Sequence, residues 1–232
     1  MAGLRSIIYT VVSSTPYQAV RRKVARATRP VRQIGIDIDI MFQKDISRPL
    51  PDFVADVPVE IAIASRAEVE HQAARLRLPR DGRYREYFLA KYDAGMICFV
   101  ARSGSSVVAY NWIRLEPGVS DSAFVALRRG EVWCTDAFTA HAWRGNKIHT
   151  ALLNRMLQFA HERGCTTAYT LTRLRNRGSR KTHHRLGWEM TGRLLHVRIR
   201  DRVTRIALTG TAHPLKTAPR DSIPLPDPEF RT

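Results

Sequence analysis

The stretch DAFTAHAWRGNKIHTALLNRML, residues 136–157, decides the fold. It begins at the end of a strand predicted over residues 131–139, and it continues into residues 147–162, where the apolar spacing predicts a helix. The short loop between the two elements carries the basic residues Arg144 and Lys147. A helix start presents free backbone N–H groups and the positive end of the helix dipole, so this junction suits a phosphate or a pyrophosphate. An ordinary strand–helix connection stays equally open, because the spacing is that of neither a Walker A loop nor a Rossmann fingerprint.

Strands and helices alternate on both sides of this junction. The elements predicted before it are a strand over 59–64, a helix from the Ser65 capping box to about Leu78, a helix over 84–92 and a hairpin of strands 96–102 and 107–115. Those predicted after it are a strand over 165–172, a helix over 179–186 and strands over 189–200 and 203–208. The order β-α-α-β-β-β-α-β-α-β-β predicts an α/β domain with a mixed sheet over residues 59–208.

The two ends of the chain differ from this domain. Residues 1–58 form an N-terminal extension, in which residues 17–29 predict a basic helix that leaves a peripheral contact with a membrane open. The alternating isoleucines of residues 34–41 predict a half-buried strand. Three prolines between residues 49 and 58 mark a linker. Residues 209–232 hold five of the twelve prolines of the chain and are predicted to be disordered.

The charge of the chain is strongly positive, with 38 Lys and Arg residues against 21 Asp and Glu residues and a formal net charge of +17. Such an excess favours an anionic partner: nucleic acid, anionic lipid, an acidic carrier protein or a phosphorylated cofactor. Eleven of the basic residues lie in residues 173–205. No nucleic-acid motif accompanies them, so nucleic acid ranks last among these partners. No apolar run approaches the ~18 residues of a membrane-spanning helix, which excludes a transmembrane protein.

The three cysteines form no C-x-x-C pair and accompany no histidines at metal-binding spacing. This pattern argues against a disulfide framework and against a structural zinc site, so we expect no metal. The N-terminal apolar run is short and lacks a clear cleavage site, which makes the cytoplasm the expected compartment.

Two motifs and the order of elements resemble the GNAT superfamily of N-acetyltransferases. The loop Arg144-Gly145-Asn146-Lys147-Ile148-His149 is similar to the family's acyl-CoA motif R/Q-x-x-G-x-G/A. The segment Asn176 to Trp188 is similar to the family's N-x-x-(A/S)-x-x-x-Y-x-x-x-G-F segment. The resemblance covers about two thirds of the chain. It implies a GNAT-like fold, with a mixed, mostly antiparallel central sheet flanked by helices and an added N-terminal extension.

The resemblance also implies a reaction. An acetyl group would pass from acetyl-CoA, or another acyl group from another acyl-CoA, to a primary amine by direct attack with general acid/base help. The acceptor would be a small molecule or a peptide, and the surplus positive charge favours an acidic one. A homodimer stays open. The residues implied to bind the donor are Phe138, Thr139, Arg144, Gly145, Asn146, Lys147, Ile148, His149, Thr150, Asn176 and Ser179.

The chain departs from the family pattern at three positions. Lys147 and His149 stand where the family usually has glycine, and their charge and hydrogen bonds could hold phosphate instead. The opposite interpretation is a degenerate site that no longer binds CoA. His183 stands where the family usually has the tyrosine that protonates the leaving thiolate, and a histidine can donate a proton near neutral pH. The structural alternative for His183 is a surface histidine.

Two carboxylates are candidates for the general base, since an alkylammonium with a pKa near ~10.4 must lose a proton before it attacks. Glu131 and Asp136 lie on the same predicted strand an odd number of residues apart, so they face opposite sides unless a bulge intervenes. Glu131 is alternatively a solvated charge, whereas a buried Asp136 would need a partner. Backbone N–H groups near Phe138 and Thr139 could stabilise the oxyanion.

Two other functions compete with the acetyl-CoA-dependent enzyme. One is a catalytically degenerate GNAT-like module that binds a polyanion or an acidic partner through residues 173–205. The other is an acyltransferase whose donor is an acyl carrier protein, since an acidic carrier would suit the basic surface.

Overall fold

A computed structural model describes residues 8–10, 34–75, 83–119, 126–199 and 202–209. The predicted basic helix and, apart from Thr209, the predicted tail lie outside these residues.

Strands and helices alternate as the sequence predicted. The strands are β1 (Ile8–Thr10), β2 (Ile34–Asp45), β3 (Glu60–Ile63), β4 (Ile97–Ser103), β5 (Ser106–Arg114), β6 (Gly118–Val119), β7 (Ala126–Leu127), β8 (Glu131–Thr139), β9 (Thr167–Arg173), β10 (Glu189–Ile199) and β11 (Arg202–Thr209). The α-helices are α1 (Arg66–Arg75), α2 (Arg83–Asp93), α3 (Ile148–His161) and α4 (Arg177–Arg185). The predicted capping box at the start of α1 is confirmed, because the Ser65 amide donates to Glu68 Oε2 at 2.8 Å and the Glu68 amide donates to Ser65 Oγ at 3.2 Å.

Nine of the described strands form one sheet in the order β1-β11-β10-β2-β9-β8-β5-β4-β3, and β6 and β7 pair separately. Every neighbouring pair in the large sheet is antiparallel except β8 and β9, which are parallel. The predicted mixed, mostly antiparallel sheet is therefore confirmed.

Helices pack on both faces of the sheet. Alternate residues of a strand point to opposite faces, so a single strand contributes side chains to both cores. From β4, Phe99 and Ala101 pack into a core shared with α3. Their neighbours Cys98 and Val100 pack into a second core with Val69 of α1 and aromatic residues of α2.

The isoleucine-rich strand of the N-terminal segment is confirmed as β2, and it lies inside the sheet. It pairs with β9 along one edge and with β10 along the other. Ile40 and Phe42 are buried in the core shared with α3, whereas Ile36 nearer the start of the strand is exposed. Residues before position 59 therefore contribute a strand to the same sheet as the strands that follow it.

The predicted linker lies against α3, and we call residues 46–59 the strap. It follows α3 from the C-terminal end of the helix to its N-terminal end. The contacts, in that order, are His161 Nδ1 with the Ile46 carbonyl at 2.8 Å, Gln158 Nε2 with Asp52 Oδ1 at 2.9 Å, Asn154 Nδ2 with the Pro51 carbonyl at 2.9 Å and the Asp56 amide with the Asn146 carbonyl at 3.0 Å. Polar side chains of α3 therefore satisfy backbone groups of a segment without regular structure.

Candidate functional site

The two parallel strands at the middle of the sheet separate part-way along their length. β8 and β9 pair from Glu131 opposite Thr167 to Cys134 opposite Thr170. β8 then continues to Thr139, and within the described residues no strand pairs with this part of its β9-facing edge. Residues 135–139 therefore present backbone groups to a gap between the carboxyl ends of parallel strands, a position where open α/β sheets bind ligands.

A β-bulge lies where the strands separate. On the β5 side, Thr135 opposes Trp112 and Phe138 opposes Tyr110, so two residues of β8 face Asn111 alone. Asp136 is one of the two, and its φ of +50° lies in the left-handed region. A bulge bends its strand and increases the local twist, which accounts for the departure of β8 from β9. The sequence predicted that Asp136 and Glu131 face opposite sides of the sheet unless such a bulge intervenes.

The carboxylate of Asp136 is buried in an ion pair that the sequence did not predict. Lys91 Nζ lies 2.6 Å from Asp136 Oδ2, and the two side chains are 0% and 7% exposed. The Tyr87 hydroxyl donates to the same oxygen at 2.5 Å. The Lys91 ammonium also lies 5.0 Å from the centre of the Tyr87 ring and 5.7 Å from that of Trp112. The expectation that a buried Asp136 needs a partner is met by two residues of α2.

Glu131 lies at the opposite end of β8, in the part that is paired with β9. Its carboxylate accepts a hydrogen bond from the Arg128 amide at 2.8 Å and one from the Tyr169 hydroxyl at 3.5 Å. Burial, followed by the charge of Glu131, raises the pKa of Tyr169 to about 12. These contacts hold the turn before β8, so the structure does not bring Glu131 together with the gap.

The loop between β8 and α3 is exposed and contains two left-handed residues. Gly145 has a φ of +92° and Lys147, the N-cap residue of α3, has a φ of +54°. Lys147 thus adopts at this position a conformation that glycine takes without steric cost. Arg144 Nε donates to the Thr139 carbonyl at 3.1 Å, and Asn146 Nδ2 donates to the Trp143 carbonyl at 3.3 Å. The Lys147 side chain makes no capping hydrogen bond to α3. The amide groups of the first turn can therefore bind an anion.

His183 of α4 is buried beside the first turn of α3. Its ring stacks on Phe42 of β2 at 4.9 Å, meets Trp188 edge-on at 5.3 Å and lies 6.4 Å from the ring of His149. Burial and the neighbouring His149 lower the pKa of His183 to about 3, and burial lowers the pKa of His149 to about 4. Both rings are therefore neutral at pH 7. The surface-histidine alternative is wrong, and the environment disfavours an imidazolium acid.

Two polar residues that the resemblance assigned to donor binding form hydrogen bonds at the start of α4. Asn176 is the N-cap residue, and its Oδ1 accepts from the Ser179 amide at 3.0 Å. The Ser179 hydroxyl lies 2.7 Å from the Thr172 hydroxyl at the end of β9. Because Asn176 caps the helix, α4 begins at Arg177, two residues earlier than predicted.

The sequence model of the Acetyltransferase (GNAT) family matches residues 64–188, more than half of the chain. The chain belongs to the GNAT acetyltransferase family. Its matched region contains the β8 bulge, the loop and α4, and this family performs acyl transfer.

Solved GNAT structures share the fold. A GCN5-related N-acetyltransferase from Sphaerobacter thermophilus has 13% identity and a TM-score of 0.52, over 91% of this chain and 62% of that protein. A GNAT-family acetyltransferase from Colwellia psychrerythraea has 14% identity and a TM-score of 0.51, over 88% of this chain and 65% of that protein. The chain thus spans less than two thirds of the length of either. No curated protein matches the chain.

The predicted site residues of this GNAT domain fall into three groups. Phe138, Thr139 and the loop residues 144–147 lie together at the junction of β8 and α3. Ile148 and Thr150 are each 1% exposed in the first turn of α3, so their side chains are not available to a ligand. Ser179 and His183 lie on α4 and Asn176 caps it. This helix contacts the first turn of α3 through the 3.5 Å approach of the Thr150 and Thr182 hydroxyls.

Three further observations concern the described residues of the GNAT domain. No group of three or more His, Cys, Asp or Glu side chains is placed to hold a metal ion in the described part of the chain. Among its helices, none is long and apolar enough to cross a membrane. Trp133 is buried in the core, and the ring of Phe138 stacks on that of Tyr110 at 5.4 Å.

Lys91 and Tyr87 are the site residues that the sequence did not reveal. They lie four residues apart on α2 and so share one face of the helix. The signal that could have revealed them is their spacing, which places Lys91 on the same face of α2 as Tyr87. If that face is buried, Lys91 needs an anionic partner, because lysine is almost never fully buried unless it is paired.

Proposed function

We propose that the chain is an N-acyltransferase that moves an acetyl group from acetyl-CoA to a primary amine. The observation that carries this proposal is the edge of β8 beyond Cys134, where its pairing with β9 ends and which leads directly into the loop and the first turn of α3. An extended chain with amide groups can add to such an edge as a strand does, and a pyrophosphate suits the helix start beyond it. Membership of the GNAT family supports the same donor.

The donor would supply a thioester carbonyl as the electrophile, and residues of the chain would hold it. Amides of residues 135–139 are the candidates for hydrogen bonds to the pantetheine arm and to the developing oxyanion. Arg144 and Lys147 are exposed and basic, and with the first-turn amides of α3 they form the phosphate-binding part of the site. His149 stands beside them as a neutral ring.

A direct attack by the amine fits the state of the cysteines. Cys98, Cys134 and Cys165 are free and buried. Burial raises the pKa of Cys134 to about 12 and raises those of Cys98 and Cys165 as well, so none is an ionised thiolate at neutral pH. A covalent acyl-cysteine step therefore has no support among them. Free thiols also suit the cytoplasm, which is the compartment we propose.

Asp136 is the base candidate that the geometry favours, because it lies where β8 and β9 separate. Its carboxylate forms an ion pair with Lys91 and accepts a hydrogen bond from the Tyr87 hydroxyl, and both partners belong to α2. Glu131 lies at the other end of β8 and stays a prediction. His183 enters the proposal as a neutral imidazole whose N–H could donate a hydrogen bond to the leaving sulfur.

The proposal is tested by calorimetric titration and thermal unfolding with acetyl-CoA. We expect binding to raise Tm, since a ligand at 100 times its Kd stabilises the folded state by about 2.7 kcal/mol. Arg144→Ala should weaken binding, because it removes a cation from the loop. Arg155→Ala is the matched control, since Arg155 is an exposed residue of α3 that pairs with Glu162. No binding by the folded wild-type protein at millimolar acetyl-CoA would sink the proposal and favour a non-enzymatic module.

A second candidate donor is an acyl group on an acyl carrier protein. The observation that favours it is the exposure of Arg177, Lys181 and Arg185 on α4, next to the first turn of α3. An acidic carrier would dock there by charge complementarity. Acyl-carrier protein and acyl-CoA should be compared as donors at equal concentration, and a carrier preference that Lys181→Glu abolishes would support this candidate.

A further inference from the structure

Near its end, the strap contacts the loop that would bind the phosphates of the donor. Asp56 is joined to this loop twice: its amide donates to the Asn146 carbonyl at 3.0 Å, and its Oδ1 lies 2.6 Å from Lys147 Nζ. The ion pair connects residues 91 positions apart in the chain. An acidic side chain from the N-terminal segment therefore lies at the start of α3.

This ion pair engages the positive charge that Lys147 contributes to the loop. The Lys147 ammonium already has an anionic partner, and that partner adds a negative charge beside the position for a pyrophosphate. The side chains of Lys147 and Asp56 are 40% and 45% exposed, so a phosphate oxygen can approach the ammonium from solvent. An exposed ion pair of this kind is weak, typically worth about 0.2–1 kcal/mol, and a doubly charged pyrophosphate can displace it.

The strap makes different contacts around Asp56 than near its beginning. At its beginning, three side chains of α3 bond to the strap between Ile46 and Asp52. Near Asp56, a mainly apolar cavity of about 330 Å³ lies beside residues 53–59 and extends to Ile61 and Ala151. Ala55 and Val57 pack against the core shared with α3, so the backbone of the strap stays in place when the exposed Asp56 side chain turns away from Lys147.

We propose that Asp56 competes with the pyrophosphate of the acyl donor for Lys147, so that the strap lowers the affinity of the donor site. This inference rests on the proposed function. Lys147 stands where the family usually has glycine, and the strap supplies the charge that occupies it in the free protein. The donor must separate the pair to use Lys147.

The test measures the Kd of coenzyme A by isothermal titration calorimetry in the full chain and needs no turnover. Asp56→Asn keeps the size of the side chain and removes its charge. We expect it to tighten coenzyme A binding by about threefold to fivefold at low ionic strength, in line with the strength of one exposed ion pair. Salt should shrink the difference because exposed charges are screened. Asp52→Asn is the matched control, since Asp52 lies on the same strap but contacts Gln158; it should leave the Kd unchanged.

The role of Lys147 is checked with a double-mutant cycle. If Asp56 acts through Lys147, the gain from Asp56→Asn should largely disappear in a Lys147→Met background. Unchanged or weaker binding by Asp56→Asn, with wild-type binding intact, would overturn the competition and leave the proposed function standing. Failure of the folded wild-type protein to bind coenzyme A would overturn the proposed function itself, and the competition with it.

Discussion

His183 shows how a side chain can keep its place in a motif while its surroundings change its chemistry. The segment Asn176 to Trp188 identified His183 as the counterpart of the family's tyrosine. Its stacking partner Phe42 comes from the N-terminal part of the chain, and no local pattern around His183 indicates that contact. The motif therefore predicted which residue stands at the tyrosine position, but it did not predict that this residue is buried. Burial is the main reason that the ring is neutral.

This burial makes stability depend on pH. The ordinary histidine pKa of about 6.5 applies to the unfolded chain, whereas that of folded His183 is lowered to about 3. The unfolded state thus binds the extra proton between these values, so the contribution is fully present above pH 6.5 and is lost as the pH falls. We expect His183 alone to cost about 2 kcal/mol of stability between pH 7 and pH 5.

The measurement is urea unfolding of the wild type and of His183→Phe at both pH values. His183→Phe should remove its share of the pH dependence, whatever its effect at pH 7. His184→Phe changes the exposed neighbouring histidine and serves as the control. An identical pH dependence in the wild type and His183→Phe would show that folded His183 titrates normally.

At the scale of elements, the bulge of β8 and the helix α2 form one unit. The bulge places Asp136 on the side of α2, and Lys91 and Tyr87 bind it there. An acidic residue in an apolar strand indicated that a partner must exist, because a buried charge is costly without one. Periodicity cannot say which lysine meets which aspartate across 45 positions, since that depends on the packing of α2 against the sheet.

Breaking this pair should be costly. Lys91→Met and Asp136→Asn should each lower the free energy of unfolding by about 3–5 kcal/mol, because each leaves a buried charge or polar group without its partner. The double variant Lys91→Met/Asp136→Asn should lose much less than the sum of the two single losses. Denaturant unfolding measures both.

The control for this pair is the exposed contact between Arg66 and Asp93, which also involves α2. Arg66→Ala should cost at most about 1 kcal/mol. A fully stable Asp136→Asn protein that binds acetyl-CoA but transfers no acyl group would instead assign Asp136 to the chemistry alone.

For the whole molecule, the deciding feature is the position of β2 between β9 and β10. The isoleucine alternation predicted this strand, and the element order predicted the others. Which strands become neighbours in space follows from pairings between distant parts of the chain, and hydrophobic periodicity carries no information about them. The segment therefore looked like an extension of the domain in the sequence, although its strand has a partner on each edge.

A chain that starts at Val59 should consequently fail to fold, although it contains the whole region matched by the family. It would lose the strand that joins β9 to β10 and the buried side chains of Ile40 and Phe42. Circular dichroism and the dispersion of NMR amide signals are the measurements. A chain that starts at Ile34 keeps β2 and the strap and should fold. A folded, cooperative protein starting at Val59 would contradict this expectation.

The same strand imposes an order on biosynthesis. β2 leaves the ribosome before both of its neighbours, and the nearer of them in the sequence, β9, lies more than 120 residues later in the chain. At about 5–20 residues per second, translation takes roughly 6–24 s to supply that neighbour. During this interval both edges of a strand rich in isoleucine are open to pairing with other nascent chains.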